Sequence, residues 1–271
     1  MEYLTFEPND ELSPFIKCYW TLESPKEEAP EKQVIVPDGC MEFIFHYGDL
    51  YRQYHTETEF LIQPRSFVIG QLTQPLEIQP IGVTGIFSAR FHPDGFLPFS
   101  DFPADKMKNT AISVGDLFGT EGILLESHIL NAPSTEARIK VLERFLFDQL
   151  TLKKNMDRVI KSTVEIILTA NGQLTIEALT QSTPISQRQL ERRFAKAIGL
   201  SPKQLAKTIR LQTALKKLLS NNYTSLTSLA HEGEFYDQAH FNKDFKKFTG
   251  HTPREVYGQQ LKMSSLFYGE E

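Results

Sequence analysis

Two stretches of the chain decide its fold: LERRFAKAIGLSP at residues 190–202 and FNKDFKKFTGHTP at residues 241–253. They share one pattern, displaced by 51 positions: an apolar pair four residues apart, a basic stretch, a glycine, and then Ser-Pro or Thr-Pro. A glycine commonly ends a helix, and a proline commonly begins the next one. The pattern therefore predicts two similar helical units, each presenting one short basic helix. Two such helices are the format of a protein that reads two stretches of a DNA groove.

The charge of the chain is divided unevenly along its length. The 271 residues carry a net charge of −5, but residues 1–155 carry −10 and residues 156–258 carry +6. A basic segment behind an acidic one favours a nucleic-acid partner for the basic segment alone. The two cysteines are too few for a disulfide framework, and no apolar run of 18 residues predicts a membrane span. We expect a cytoplasmic protein that has no membrane partner.

The first 110 residues contain short apolar runs separated by turn residues, which is typical of a β-barrel or sandwich. The predicted strands include Gln33–Val36, Met41–His46, Phe60–Ile62 and Ser66–Ile69. From about residue 116 the apolar residues follow a helical period instead. A helix interrupted by Gly119 and Gly122 comes first, and an amphipathic helix follows at about residues 134–152.

The amphipathic helix at about 134–152 leaves two interpretations open. Its apolar stripe either packs on the β-rich half of its own chain or forms a two-fold dimer seam. Lys153-Lys154-Asn155 would end this helix and form a short hinge. We therefore expect a β-rich sensing or dimerisation domain at residues 1–155, an all-α DNA-binding domain at residues 156–258 and a tail at residues 259–271.

The helical half supplies the chemistry of DNA recognition on its first basic helix, SQRQLERRFAKA at residues 186–197. Leu190 and Phe194 lie four residues apart and face inward. The opposite face carries the predicted base-contacting residues Gln187, Arg188, Glu191 and Arg192. An arginine can bind guanine O6 and N7, and a glutamate can accept from cytosine N4. A solvated charged face is the alternative for one isolated helix, but the repeat and the preceding short helix favour DNA.

The second basic helix, DQAHFNKDFKKF at residues 237–248, repeats this arrangement with different side chains. Its inward stripe is Phe241, Phe245 and Phe248. Amides can pair with adenine, and an alanine can touch a thymine methyl group. The predicted base-contacting residues of this helix are Gln238, Ala239, His240, Asn242 and Lys243. The predicted phosphate-contacting residues of the two helices and their linker are Ser186, Lys196, Lys203, Lys207, Lys246 and Lys247.

Residues 157–257 resemble the AraC/XylS-type transcriptional regulators. The resemblance is carried by RQLERRF (188–194), GLSPKQLAKTIRLQTAL (199–215) and DQAHFNKDFKKFTGHTP (237–253). It implies two helix-turn-helix subdomains joined by a long linker helix, here Pro202–Leu219. It also implies recognition helices that enter successive major-groove segments of double-stranded DNA, with RNA polymerase as a further partner. The fold class is then α+β: a β-barrel or sandwich with flanking helices, followed by the all-α double helix-turn-helix.

The sequence departs from the family pattern in both turns. The first motif has Thr180 where alanine is usual and Pro184 in its turn. The second has Glu234 where glycine is usual, with Gly233 one place earlier. Because such turns often need a positive φ, which glycine adopts without strain, we expect Gly233 to take over that role.

The N-terminal half resembles, through PDGCMEFIF (37–45) and ARFHPDGFLPF (89–99), a poorly characterised subset of the β-barrel sensor domains attached to such regulators. A small-molecule effector, a homodimer and the choice between activation and repression stay open. His46, His55 and His92 lack metal-ligand spacing, so we expect no metal. The sequence contains no catalytic or nucleotide-binding motif, and we expect no enzyme activity and no cofactor. The alternatives are a protein-interaction module with a degenerate DNA-binding domain, or an enzyme in the barrel.

Overall fold

The computed structural model of the protein describes residues 1–151 and 157–256. Its N-terminal half is rich in β-structure, as predicted. The strands are β1 (Glu2–Phe6), β2 (Ile16–Ser24), β3 (Gln33–Ile35), β4 (Glu42–His46), β5 (Tyr51–Tyr54), β6 (Phe60–Ile62), β7 (Ser66–Ile69), β8 (Leu76–Pro80), β9 (Thr84–Phe91) and β10 (Ala111–Ser113).

The strands form two antiparallel sheets that do not close into a barrel. The larger sheet has the order β1-β2-β9-β4-β7-β10, and the smaller has the order β3-β8-β5-β6. β9 is buried along its whole length because it lies between β2 and β4 with both faces covered. Side chains of both sheets, among them Trp20, Tyr51, Ile78 and Ile86, form one apolar cluster between them.

Two helices cover the other face of the larger sheet: α1 (Val114–Asn131) and α2 (Thr135–Thr151). Of the two predicted interruptions, only Gly119 leaves the helical conformation, with φ 58° and ψ −135°. Leu142 and Leu146 of α2 are fully buried among residues of the larger sheet. The apolar stripe of α2 therefore packs on its own chain, and its interpretation as a dimer seam is wrong. The predicted hinge at residues 153–155 lies outside the described residues.

The C-terminal half is helical: α3 (Arg158–Thr169), α4 (Ile176–Gln181), α5 (Gln187–Ile198), α6 (Pro202–Leu219), α7 (Leu226–Glu232) and α8 (Gln238–Thr249). Gly199 and Gly250 adopt left-handed conformations, with φ of 86° and 83°, and they end α5 and α8 as predicted. Ser201 caps α6 through a capping box, and Pro202 begins the helix. After Gly250 the described chain forms a turn at residues 253–255, so the second copy begins no helix at Pro253 within the described part.

Each helix-turn-helix motif has its own apolar core, and α6 belongs to both. The core of the first motif joins α3, α4 and α5 with Leu205 and Ala206 of α6. The core of the second joins α7 and α8 with Leu211, Leu215 and Leu218 of α6. α6 is therefore the linker helix that the sequence predicts. The tail at residues 259–271 lies outside the described residues. In the two described ranges, every helix falls short of the length and apolarity of a membrane span.

Candidate DNA-binding surface

The first recognition helix, α5, is fixed at its start by its own sequence. Ser186 accepts a hydrogen bond from the backbone N–H of Gln189, whose side chain returns to the backbone of Ser186. Leu190, Phe194 and Ile198 are buried, which confirms the predicted inward stripe. The residues predicted to contact bases on this helix are all exposed: Gln187, Arg188, Glu191 and Arg192. The helix therefore offers donors and acceptors on one solvent-facing side.

Two adjacent arginines of α5 have different surroundings. Arg193 turns toward the N-terminus of α3, where its Nε lies 2.9 Å from Asp157 Oδ2 and one of its terminal nitrogens 2.5 Å from Asp157 Oδ1. Asp157 also caps α3 by accepting from the backbone N–H groups of Val159 and Ile160. Arg192, the preceding residue, is exposed to solvent. Arg193 therefore anchors the helix, whereas Arg192 is available to a ligand.

The second recognition helix, α8, presents a less uniform surface. Asp237 caps it by accepting from the backbone N–H of His240 at 2.7 Å. Phe241, Phe245 and Phe248 are buried as predicted. Of the five residues predicted to contact bases, Ala239, His240 and Lys243 are exposed, whereas Gln238 and Asn242 are half-buried.

The two half-buried amides of α8 differ in their contacts. Gln238 Oε1 accepts from Thr227 Oγ1 at 2.8 Å, which ties it to α7. Asn242 Oδ1 is buried and has no hydrogen-bond partner within the described part of the chain. Both amides lie at the edge of the exposed face, so they have less freedom than Lys243.

Tyr236 is an exposed residue that the sequence analysis did not select. It lies one position before the N-cap Asp237 and is 92% exposed, more than any other large hydrophobic residue that is described. An aromatic ring with a hydroxyl group at the start of a recognition helix can contact a phosphate or a sugar. The signal in the sequence is its position outside the Phe241–Phe245–Phe248 stripe, which leaves it without a core to enter.

The residues predicted to contact phosphates divide into exposed and paired groups. Ser186, Lys196, Lys203, Lys246 and Lys247 are exposed. Lys207 is the paired one, because its Nζ lies 2.7 Å from Asp244 Oδ1 on α8. His240 Nε2 lies 3.7 Å from the other oxygen of the same carboxylate. Asp244 therefore competes with DNA for two of the predicted contacts.

The two turns differ in backbone conformation. Glu234 has a φ of 52°, whereas Gly233 has a φ of −82°. The expectation that Gly233 takes over the left-handed position is therefore wrong, and the glutamate adopts it with strain. The first turn, which contains Pro184, has no residue with positive φ. The guanidinium carbon of Arg210 on α6 lies 4.5 Å from the centroid of the Phe235 ring, and this contact supports the second turn.

The β-rich half contains a small cavity between its sheets, lined by residues that include Trp20, Glu42, His46, Ile78 and Arg90. Its volume of about 60 Å³ compares with about 10–15 Å³ for one water and about 300–1,000 Å³ for a ligand site. Arg90 is paired with Glu42, with a nitrogen-to-oxygen distance of 2.6 Å. Burial lowers the pKa of His46 to about 4, and its Nε2 lies 3.2 Å from Gln63 Oε1. In the described ranges no three His, Cys, Asp or Glu side chains are grouped to hold a metal.

A larger groove lies where the two halves of the chain meet. Its volume is about 370 Å³, and it is lined by Thr73 and Gln74 on one side and by residues of α6 and α8 on the other. Lys207, Asp244 and Lys247 give it a polar and charged wall. This groove has the size of a ligand site, which the cavity between the sheets does not.

Two capped motifs whose second helices expose polar and basic faces define a DNA-binding protein of the double helix-turn-helix class. Family models match the chain in two places. Residues 179–259 match a "Helix-turn-helix domain", and residues 4–113 match a "Domain of unknown function (DUF6597)". Among curated proteins, none matches the chain.

Solved structures give further likenesses. A probable AraC family transcriptional regulator from Rhodopseudomonas palustris CGA009 is 30% identical over 40% of this chain and 98% of that one, with a TM-score of 0.35. The C-terminal domain of AraT, a response regulator from Geobacillus stearothermophilus, is 22% identical over 38% and 86%, with a TM-score of 0.35. Unsaturated fatty acid bound wild-type ToxT from Vibrio cholerae strain SCE256 is 9% identical over 94% and 95%, with a TM-score of 0.44. All three TM-scores are below 0.5.

The chain belongs to the AraC family of transcriptional regulators, because it is 30% identical to the probable AraC family regulator from Rhodopseudomonas palustris over 98% of that chain. The matched helix-turn-helix domain agrees with this assignment. The protein is thus an AraC-type DNA-binding transcription regulator.

Proposed function

We propose that α5 and α8 enter two adjacent major-groove segments and that their exposed side chains read the bases. One observation carries the proposal: each of two capped helices buries an aromatic or aliphatic stripe and turns a polar face to solvent. On the first helix the readers are Gln187, Arg188, Glu191 and Arg192. On the second they are Gln238, Ala239, His240, Asn242 and Lys243.

Phosphate contacts supply most of the affinity in this proposal, and they come from Ser186, Lys196, Lys203, Lys207, Lys246 and Lys247. We add Tyr236 to this set because of its exposure at the start of α8. Lys207 contributes least, since binding a phosphate requires it to leave Asp244. The affinity should fall steeply as salt concentration rises, because each phosphate contact releases counterions.

A second copy of the chain is a proposed partner, bound through α1. Ile123 and Leu124 are 62% and 53% exposed, which is unusual for adjacent aliphatic residues on a helix. A groove of about 500 Å³ beside them, between α1 and α2, carries both acidic and basic side chains: Glu121, His128, Arg144 and Asp148. A surface with both signs of charge can pair with itself across a two-fold axis.

The rest of the proposal concerns regulation. A small effector would find ligand-sized space in the groove between the halves, where it would touch both of them. We propose that the protein acts in the cytoplasm, without an enzymatic step and without a cofactor. Contact with RNA polymerase stays a prediction from the family.

Selection of bound duplexes from a random pool, followed by deep sequencing, tests the proposed function. The expected result is a site in two parts whose bases respond separately to substitutions in α5 and in α8. Retention of all duplexes with equal affinity would contradict base reading. Absence of any retention at low salt would favour the alternative of a protein-interaction module.

A further inference from the structure

We infer that residues 36–40 of the β-rich half act as a positioning element, which fixes the two recognition helices relative to one another and so sets the spacing of the DNA site. This inference rests on the proposed reading of DNA by α5 and α8. In this inference the β-rich half contributes to DNA recognition by positioning the two helices.

The first observation is that the core of the second motif is completed by a residue from the other half of the chain. Val36 is 2% exposed and belongs to the same buried cluster as Leu211, Leu215 and Leu218 of α6. Without this side chain, the face of α6 that supports α8 would lose part of its apolar cover. The position of α6 under the second motif therefore depends on Val36.

The same segment also contacts α6 further toward the first motif. Gly39 has a φ of 80°, and a Cβ atom placed on it would lie 3.0 Å from Leu205 Cδ1 and 3.4 Å from Ile209 Cδ1. Leu205 and Ile209 belong to the core of the first motif. Between these two contacts, the Gln212 side chain donates a buried hydrogen bond to the carbonyl oxygen of Pro37. One short segment thus touches the cores of both motifs.

The β-rich half also contacts the end of the first recognition helix, and it lies near the end of the second. Gly199 ends α5, and a Cβ atom placed there would lie 2.7 Å from the carbonyl oxygen of Ala104. Gly250 ends α8, and a Cβ atom placed there would lie 3.9 Å from Pro75 Cγ. The end of α5 is therefore held against the β-rich half directly, whereas α8 is linked to that half through α6 and Val36.

The segment is itself held within the β-rich half. Gln71 Nε2 donates to the carbonyl oxygen of Gly39 at 2.8 Å, and within the segment the backbone N–H of Cys40 donates to Asp38 Oδ1 at 2.9 Å. Asp38 Oδ2 lies 3.8 Å from Arg90 Nε, which in turn is bound to Glu42. A segment tied at several points moves as part of the sheet, so it transfers the position of the sheet to α6.

The test uses the full chain and four variants. Val36→Ala removes apolar cover from the second core, and Gly39→Ala presses on Leu205. Val83→Ala is the matched control for the first, since Val83 is 50% exposed in the same half. Gly119→Ala is the matched control for the second: Gly119 also has a positive φ of 58°, but no atom lies within 4 Å of the added Cβ.

Binding is measured on the duplex selected by the wild type, on the same duplex with about 2 base pairs inserted between its two parts, and on each part alone. The insertion shifts the second part by about 7 Å and turns it by about 70°, given a rise of about 3.4 Å and about 10 base pairs per turn. The wild type and both controls should lose about tenfold or more in affinity on the inserted duplex, because simultaneous engagement is lost. In Val36→Ala and Gly39→Ala the ratio of the affinity for the selected duplex to that for the inserted duplex should fall to about threefold or less, with unchanged affinity for each single part.

The outcomes separate the inference from the function on which it rests. If the wild type selects no two-part site, the proposed function fails. If it does, and a folded Val36→Ala or Gly39→Ala protein keeps the wild-type ratio, the positioning role is overturned. Since the two variants act by opposite means, loss of cover and added contact, one of them can decide the matter if the other does not fold.

Discussion

Two neighbouring arginines of α5 should have separable effects when each is replaced by alanine. Arg192→Ala removes an exposed guanidinium from the face proposed to read bases. One bidentate arginine–guanine contact is worth about 1–3 kcal/mol of discrimination, which corresponds to about 5- to 150-fold in affinity. The thermal stability of the protein should stay unchanged, because this side chain supports no part of the core.

Arg193→Ala should act in the opposite way. The lost contacts are three hydrogen bonds to Asp157, and the side chains of Arg193 and Asp157 are 39% and 26% exposed. This exposure limits the electrostatic contribution to about 1 kcal/mol or less, so Tm should fall by no more than roughly 2–4 °C. Asp157 would still cap α3, so the motif should remain folded. Discrimination among duplexes should be nearly that of the wild type.

The assay combines thermal unfolding with competition binding, in which the selected duplex competes with duplexes that carry one altered base pair. Arg188→Ala serves as a second exposed-arginine variant, with the behaviour expected of Arg192→Ala. A greater loss of discrimination in Arg193→Ala than in Arg192→Ala would contradict the proposed roles of the two side chains. An equal fall in Tm in the two variants would contradict them as well.

Single residues in the second turn, in the core of the β-rich half and on the surface provide four further tests. Glu234→Gly should raise the free energy of unfolding by about 0.5–1 kcal/mol, because it removes about 1–2 kcal/mol of left-handed strain and adds about 0.5–1 kcal/mol of entropic cost for ordering a glycine. Asn221→Gly, at a φ of 53°, is the control and should change Tm little, because asparagine tolerates this conformation. The free energy of unfolding should fall by about 2 kcal/mol between pH 7.5 and pH 5 in urea titrations. The reason is that the buried His46, with a pKa of about 4, stays neutral in the folded protein, whereas in the unfolded chain it takes up a proton below about pH 6.5. His46→Gln should reduce this loss. Tyr236→Ala should weaken binding to all duplexes by a similar factor in gel shifts, and loss on only some sequences would instead assign Tyr236 to base contact. Ile123→Glu should convert a dimer to a monomer in sedimentation experiments, and an unchanged sedimentation coefficient would remove α1 from the interface.

The sequence predicts those parts of the fold that depend on near neighbours. Ser186, Ser201 and Asp237 begin helices at the predicted places because an N-cap bonds to residues only two or three positions away. Gly199 and Gly250 end helices for the same local reason. The inward and outward faces of α5 and α8 follow from helical spacing, so the exposed residues of α5 were predicted correctly as a surface.

The rest depends on partners that are distant in the chain. Arg193 contacts Asp157, which is 36 positions away, and Gln212 contacts Pro37, which is 175 positions away. No local sequence pattern predicts either contact. The strain at Glu234 shows the same limit, since a glycine next to it offers an easier left-handed residue by sequence alone. The sheets stay open rather than closing into a barrel because strand pairing is decided by long-range packing.

The entry of Val36 into the core of the second motif has a consequence for biosynthesis. A ribosome delivers residue 36 long before α7 and α8, so the surface that receives these last helices can already be folded when they emerge. A chain that is made without its first 40 residues would release the same helices without Val36, the one described side chain from the β-rich half that is buried in their core. For this protein, the order of synthesis and the order of assembly therefore run in the same direction.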